Sequence, residues 1–88
     1  MAVTAGSIFG EIIYALRNKA GLTQEKLAEF SYYSRDYIYR LEKGERGPGV
    51  KTFSRLGPPL KIHAVDLHNM FLNRLKDEGI LEKWIKED

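Results

Sequence analysis

At 88 residues, with 43% hydrophobic and 30% charged side chains, the chain has the makeup of one small globular domain whose limited core would gain from association with a second copy. It has no cysteine, which excludes disulfides and thiolate metal sites, no apolar run reaches the ~18 residues of a membrane span, and residues 1–5 lack a basic region followed by an apolar one. The net charge of +2 decides little, but residues 1–63 carry +4 and residues 64–88 carry −2, so the basic excess precedes an acidic segment that phosphates would repel.

In chain order, the first helix is predicted from Ser7, whose hydroxyl would cap free N–H groups, to about Lys19 or Ala20, with Gly21 as its stop. Phe9, Ile12, Ile13, Leu16 and Ala20 recur at three- and four-residue spacing and give it one apolar stripe. Thr23 reads as the next N-cap, opening a second helix of about seven residues that is expected to bury Leu27, Ala28 and Phe30. Ser34 caps a third helix that buries Ile38 and Leu41 and ends at Gly44, a residue suited to a left-handed cap. The opposite face of that helix carries Arg35, Asp36, Tyr39, Arg40 and Lys43.

Residues 45–49 read as a loop with strong breakers, followed by a short fourth helix over about Val50 to Leu56 that Gly57-Pro58-Pro59 terminates. A fifth helix from His63 or Ala64 carries Val65, Leu67, Met70, Phe71 and Leu75 toward Gly79, and Ile80, Leu81, Trp84 and Ile85 form a further short helix or a continuation. The expected class is all-α, a single domain over 1–88, with residues 7–62 as the first four helices and 63–88 as the fifth helix and tail.

Two short helical patterns flanking a polar-aromatic turn, over residues 24–43, are how a helix-turn-helix reads. Such a turn lets one helix brace on a phosphate backbone while the other offers its side chains to base edges in the major groove. Double-stranded DNA is therefore the expected partner.

The stretch from about Phe9 to Leu67 resembles the lambda-repressor and Cro-like helix-turn-helix family, also called the xenobiotic-response-element family. The resemblance rests on Phe9-Gly10-Glu11 with Ile13, Leu16-Arg17, the run from Gly21 to Ala28, Ser34-Arg35 with Tyr37-Ile38, Leu41-Glu42-Lys43-Gly44, and Pro48. It implies a compact bundle of about five helices and a transcriptional regulator that binds operators as a dimer. Carried over residue by residue, it implies that Thr23 and Gln24 open the bracing helix, with Gln24 touching phosphate and buttressing the reader. Ser34, Arg35, Asp36, Tyr39 and Arg40 would then face DNA, Lys43 and Arg46 would meet the backbone, and Arg17 would pair with Glu42. There are departures: Tyr32 stands where the family often has glycine, Gly47 where a phosphate-binding asparagine is frequent, and Pro58-Pro59 interrupts the fourth helix.

Arg35 and Arg40 are the candidates for base readout, because a guanidinium can donate two hydrogen bonds to guanine O6 and N7. Asp36 is read as holding one of them in place. Tyr33 and Tyr37 are expected to pack at the core rim rather than to stack on single-stranded nucleic acid, and Tyr39 to point toward the groove. His63 and His68 share no helical face, and no carboxylate lies in a nucleophile or acid-base constellation, so neither a metal site, a cofactor nor an enzymatic activity is expected. Leu67, Met70, Phe71, Leu75 and Trp84 either complete the monomer core or form a homodimer interface; the interface is the favoured assignment, and it would set two reading helices one DNA turn apart. The resulting expectation is a cytoplasmic, nucleoid-associated repressor or restriction-modification controller of a bacterium or phage. The alternative is an antitoxin-like module whose tail binds a protein partner.

Overall fold

A computed structural model describes residues 3–86. Among the described residues the chain is all-helical, with α1 Ala5–Lys19, α2 Gln24–Ser31, α3 Arg35–Glu42, α4 Thr52–Leu56, α5 Ala64–Asp77 and α6 Leu81–Lys86. The tail is thus a separate sixth helix, because Gly79 takes φ 74° after α5 and breaks the run.

α1 starts earlier than the serine suggested. Thr4 is its N-cap: the Thr4 hydroxyl accepts from the Ser7 N–H at 3.0 Å, and the Thr4 N–H donates to Ser7 Oγ at 3.0 Å. Two hydroxyl residues three apart form a reciprocal box, and the outer one, with extended backbone, is the cap. The helix buries Ile8, Phe9, Ile12 and Ile13 against α3 and α5. It lies so close to the end of α3 that a Cβ at Gly10 would stand 2.4 Å from the Leu41 carbonyl oxygen.

Thr23 and Ser34 cap α2 and α3 as expected, accepting from the N–H groups of Lys26 and Tyr37, each at 3.1 Å. Leu27, Ala28, Ile38 and Leu41 are buried. Phe30 is not: it is 51% exposed, with the Lys26 ammonium 5.9 Å from its ring centre. α4 begins at Thr52 rather than Val50, which is left exposed, and its N-cap Lys51 supplies no side-chain hydrogen bond. Past Gly57 the two prolines turn the chain, Lys61 adopts φ 59°, and His63 Nδ1 accepts from the Val65 N–H at 3.2 Å to cap α5.

The fifth helix corrects the dimer assignment. Leu67, Phe71 and Leu75 are wholly buried in the monomer, where each contributes roughly 1.5–3 kcal/mol of apolar burial. Phe71 meets Phe9 edge-on with centroids 5.3 Å apart and Trp84 edge-on at 5.4 Å, so Trp84 too is partly covered by its own chain. These side chains are already dry and offer a partner little. Met70, Val65 and Ile85 are the exposed apolar side chains of this region.

Candidate nucleic-acid interface

The turn between α2 and α3 is closed by a strained residue. Tyr32 caps α2 at φ 63°, ψ 29°, a left-handed conformation that costs an L-residue about 1–2 kcal/mol, and its side chain is 84% exposed. The N–H groups of Tyr32 and Tyr33 both return to the Ala28 carbonyl, and the buried Ser31 hydroxyl donates to the Leu27 carbonyl at 2.6 Å. The chain therefore reverses without leaving a buried side-chain polar atom unpaired among the described residues.

On its inner side α3 is locked by a bidentate ion pair. Arg17 donates from Nε to Glu42 Oε2 at 2.6 Å and from Nη2 to Oε1 at 3.0 Å, while its Nη1 reaches the Leu22 carbonyl at 2.9 Å. The two side chains are only 11% and 6% exposed. Glu42 holds the guanidinium pKa above its ordinary value by hydrogen bonding, against the opposing effect of burial. Gln24 donates to the same carboxylate oxygen at 3.0 Å, so it buttresses α3 as expected and has one amide N–H engaged inside the protein.

On its outer side α3 presents Arg35, Asp36, Tyr39, Arg40 and Lys43, all exposed. Arg40 Nε donates to Asp36 Oδ2 at 2.8 Å, and Arg40 Nη1 lies 4.0 Å from Glu45. Asp36 thus holds Arg40, and the same contact raises the Arg40 pKa. Arg35 has no ion-pair partner among the described residues. The Lys43 ammonium stands 5.6 Å from the Tyr39 ring centre. Thr23 and Ser34 occupy the N-termini of α2 and α3, their oxygens engaged as caps, where free backbone N–H groups favour an anion.

Beside this face Tyr33 and Tyr37 pack at the core rim as expected, with partners that the residues alone did not announce. Tyr33 and Tyr37 stack with centroids 4.3 Å apart, and their hydroxyls converge on the buried Thr52 Oγ1 at 3.4 and 3.5 Å. Thr52 also accepts the Gly49 N–H at 2.8 Å. The Arg55 guanidinium covers Tyr33 at 4.8 Å and the Arg46 guanidinium lies 5.8 Å from Tyr37. One ring contact is taken by the other tyrosine and another by an arginine, so the pair is a packed wall rather than an open stacking platform. Arg55 went unnoticed because its role depends on α4 returning beside α2, although the four-residue spacing of the tyrosines was a visible cue.

Among the described residues no cluster of three His, Asp or Glu is placed to hold a metal, and no helix is long and apolar enough to cross a membrane.

The helix-turn-helix family model matches residues 13–57, half of the chain, spanning Arg17, both N-caps, the left-handed turn and Glu42. The chain belongs to the helix-turn-helix family. It is 37% identical over 60 residues to the HTH-type transcriptional regulator y4dJ of Sinorhizobium fredii, a match that covers 68% of this chain and 78% of that protein. Among solved structures it resembles the restriction-modification controller protein C.AhdI of Aeromonas hydrophila, with a TM-score of 0.65, 32% identity and coverage of 70% and 94% of the two chains. It also resembles the controller protein C.Esp1396I, seen as a tetramer in complex with its natural 35 base-pair operator, with a TM-score of 0.69, 26% identity and coverage of 82% and 95%. The family is one of DNA-binding transcriptional regulators, not of enzymes, and this helix-turn-helix protein is a transcriptional regulator of lambda-repressor-like fold.

Proposed function

We propose that this helix-turn-helix protein binds a specific duplex DNA operator as a homodimer and represses transcription in the manner of a restriction-modification controller, in the cytoplasm. The observation that carries the reading is the two-sidedness of α3. Its inner face is locked by Arg17, Gln24 and Glu42, while Arg35, Tyr39 and Arg40 stand exposed. A rod held this way can enter a major groove without rearranging. In this reading Arg35 and Arg40 read bases, Asp36 orients Arg40, and Thr23, Gln24, Ser34, Lys43 and Arg46 serve the backbone.

The 32% identity to C.AhdI over nearly all of that chain supports the controller type. For the dimer, the support is physical. The molecule measures 33 × 25 × 23 Å, a size that allows a two-fold pair to set its reading helices the ~34 Å apart that separates successive major-groove faces. With Leu67, Phe71 and Leu75 spent on the core, Met70 and Val65 are left as the apolar contacts α5 offers a second copy.

Selection of bound duplexes from a random pool tests both parts. Recovered sites with a two-fold repeat are the expected outcome. An unrepeated consensus would remove the dimer, and no enrichment would remove sequence-specific binding. If the protein instead works as an antitoxin-like module, its partner complex will persist at salt concentrations that dissolve a phosphate-dominated one.

A further inference from the structure

We propose that Trp84 is a positioning residue for the α3–α4 loop, bracing Gly47 so that the adjacent Arg46 is held ready for a backbone phosphate. The proposal rests on the duplex-binding reading for its function, but not for its geometry. Residues 44–49 contain three glycines, a composition that leaves a loop many backbone conformations unless something restrains it. The structure restrains it from two sides. On one side the loop lies against the start of α1: a Cβ at Gly6 would stand 2.8 Å from the Gly44 carbonyl oxygen. On the other, Cη2 and Cζ3 of Trp84 lie 3.4 Å from where a side chain at Gly47 would begin.

The indole can act as a prop because it is seated on the core. It packs edge-on against Phe71, which is wholly buried, with centroids 5.4 Å apart and planes at 86°. Arg46 is then flanked, its guanidinium 5.8 Å from the Tyr37 ring centre and the next residue along the chain beside the Trp84 ring. Gly47 stands where the resembling family often has asparagine, and the indole lies where a Cβ at this position would come into van der Waals contact with it. The prop comes from α6, beyond residues 13–57 that match the family. A groove of about 300 Å³ lined by Gly44, Gly47, Ile80 and Trp84 adjoins the contact.

The test compares wild type, Trp84→Ala, Trp84→Phe, Arg46→Ala and the Trp84→Ala/Arg46→Ala double variant. Amide hydrogen exchange over residues 44–49 is read in the free proteins, and binding to the selected operator duplex is read at several salt concentrations. Trp84→Ala is expected to speed loop exchange several-fold and to weaken binding roughly three- to tenfold, with the slope of log K against log salt lowered by about 0.9, one phosphate contact. Trp84→Phe keeps a ring on Phe71 but cannot reach Gly47, so it should speed loop exchange while the core amides of α1 and α5 stay protected. In the Arg46→Ala background, Trp84→Ala should cost no further affinity. Unchanged loop exchange in both Trp84 variants would overturn the brace, and so would binding losses that multiply in the double variant. If wild type selects no duplex, the operator reading fails while loop exchange still decides whether Trp84 holds the loop.

Discussion

Two guanidinium–carboxylate pairs sit on opposite faces of α3, and they are built from similar atoms at similar distances. Arg17 and Glu42 meet at 2.6 Å with side chains 11% and 6% exposed, whereas Arg40 and Asp36 meet at 2.8 Å with side chains 48% and 70% exposed. Water separates their consequences. Deleting one member of the inner pair strands the other in a medium that solvates it poorly, while either member of the outer pair can be rehydrated. The inner pair is therefore part of the scaffold, and the outer one is a device for aiming a side chain.

The largest effect is expected from Glu42→Ala, which leaves Arg17 and the Gln24 amide without their acceptor. It should destabilise the fold by about 3 kcal/mol, lowering Tm by more than about 10 °C in a domain of this size. Exchanging both partners for apolar residues, Arg17→Met with Glu42→Leu, should recover part of that loss, and a thermal melt showing the pair variant worse than Glu42→Ala would contradict the burial argument.

On the outer face the readout changes from stability to sequence. Arg40→Ala is expected to weaken binding to the selected operator roughly ten- to a hundredfold and to random duplex far less. Lys43→Ala should weaken both alike. Equal losses for Arg40→Ala in a competition assay would take Arg40 out of base readout.

A smaller gain is expected at the turn. Tyr32→Gly relieves the left-handed cost but gives up backbone entropy in the unfolded chain, for a net stabilisation of about 0.5–1 kcal/mol by denaturant titration. A loss of stability would show that the exposed tyrosine ring earns its place through a contact instead.

The smallest stability change belongs to Asp36→Asn. Tm should stay within about 2 °C, yet base preference should relax at the operator position read by Arg40. Neither arginine supplies pH dependence in the working range. The folded-state pKa of each is raised above the ordinary arginine value, so its contribution is complete below that value and lost only at strongly alkaline pH. A melt that shifted between pH 6 and 9 would have to be traced to other groups.

Much of this was legible in the residues because it depends on near neighbours. Thr23 and Ser34 are caps wherever a helix follows them, and Gly21 and Gly44 take the positive φ that lets a chain leave a helix. The Arg17–Glu42 pair was legible only through family resemblance, since nothing in a 25-residue separation announces a contact. Phe30 was misplaced because an eight-residue helix has too few turns to say which edge of its apolar stripe meets the core. Leu67, Phe71 and Leu75 were misassigned for a related reason: periodicity marks an apolar face without naming what covers it.

The chain's order of residues, taken alone, determined the number of main helices, the caps of α2 and α3, the polar outer face of α3 and the class of molecule, since these follow from backbone hydrogen bonding and from spacings of three or four residues. Only the folded molecule decided that α5 faces inward, that Tyr33, Tyr37 and Thr52 form one wall between two arginines, and that Trp84 packs edge-on against Phe71. Those outcomes turn on which distant surfaces fit together at van der Waals distance, a property of shape that no local pattern of residues encodes.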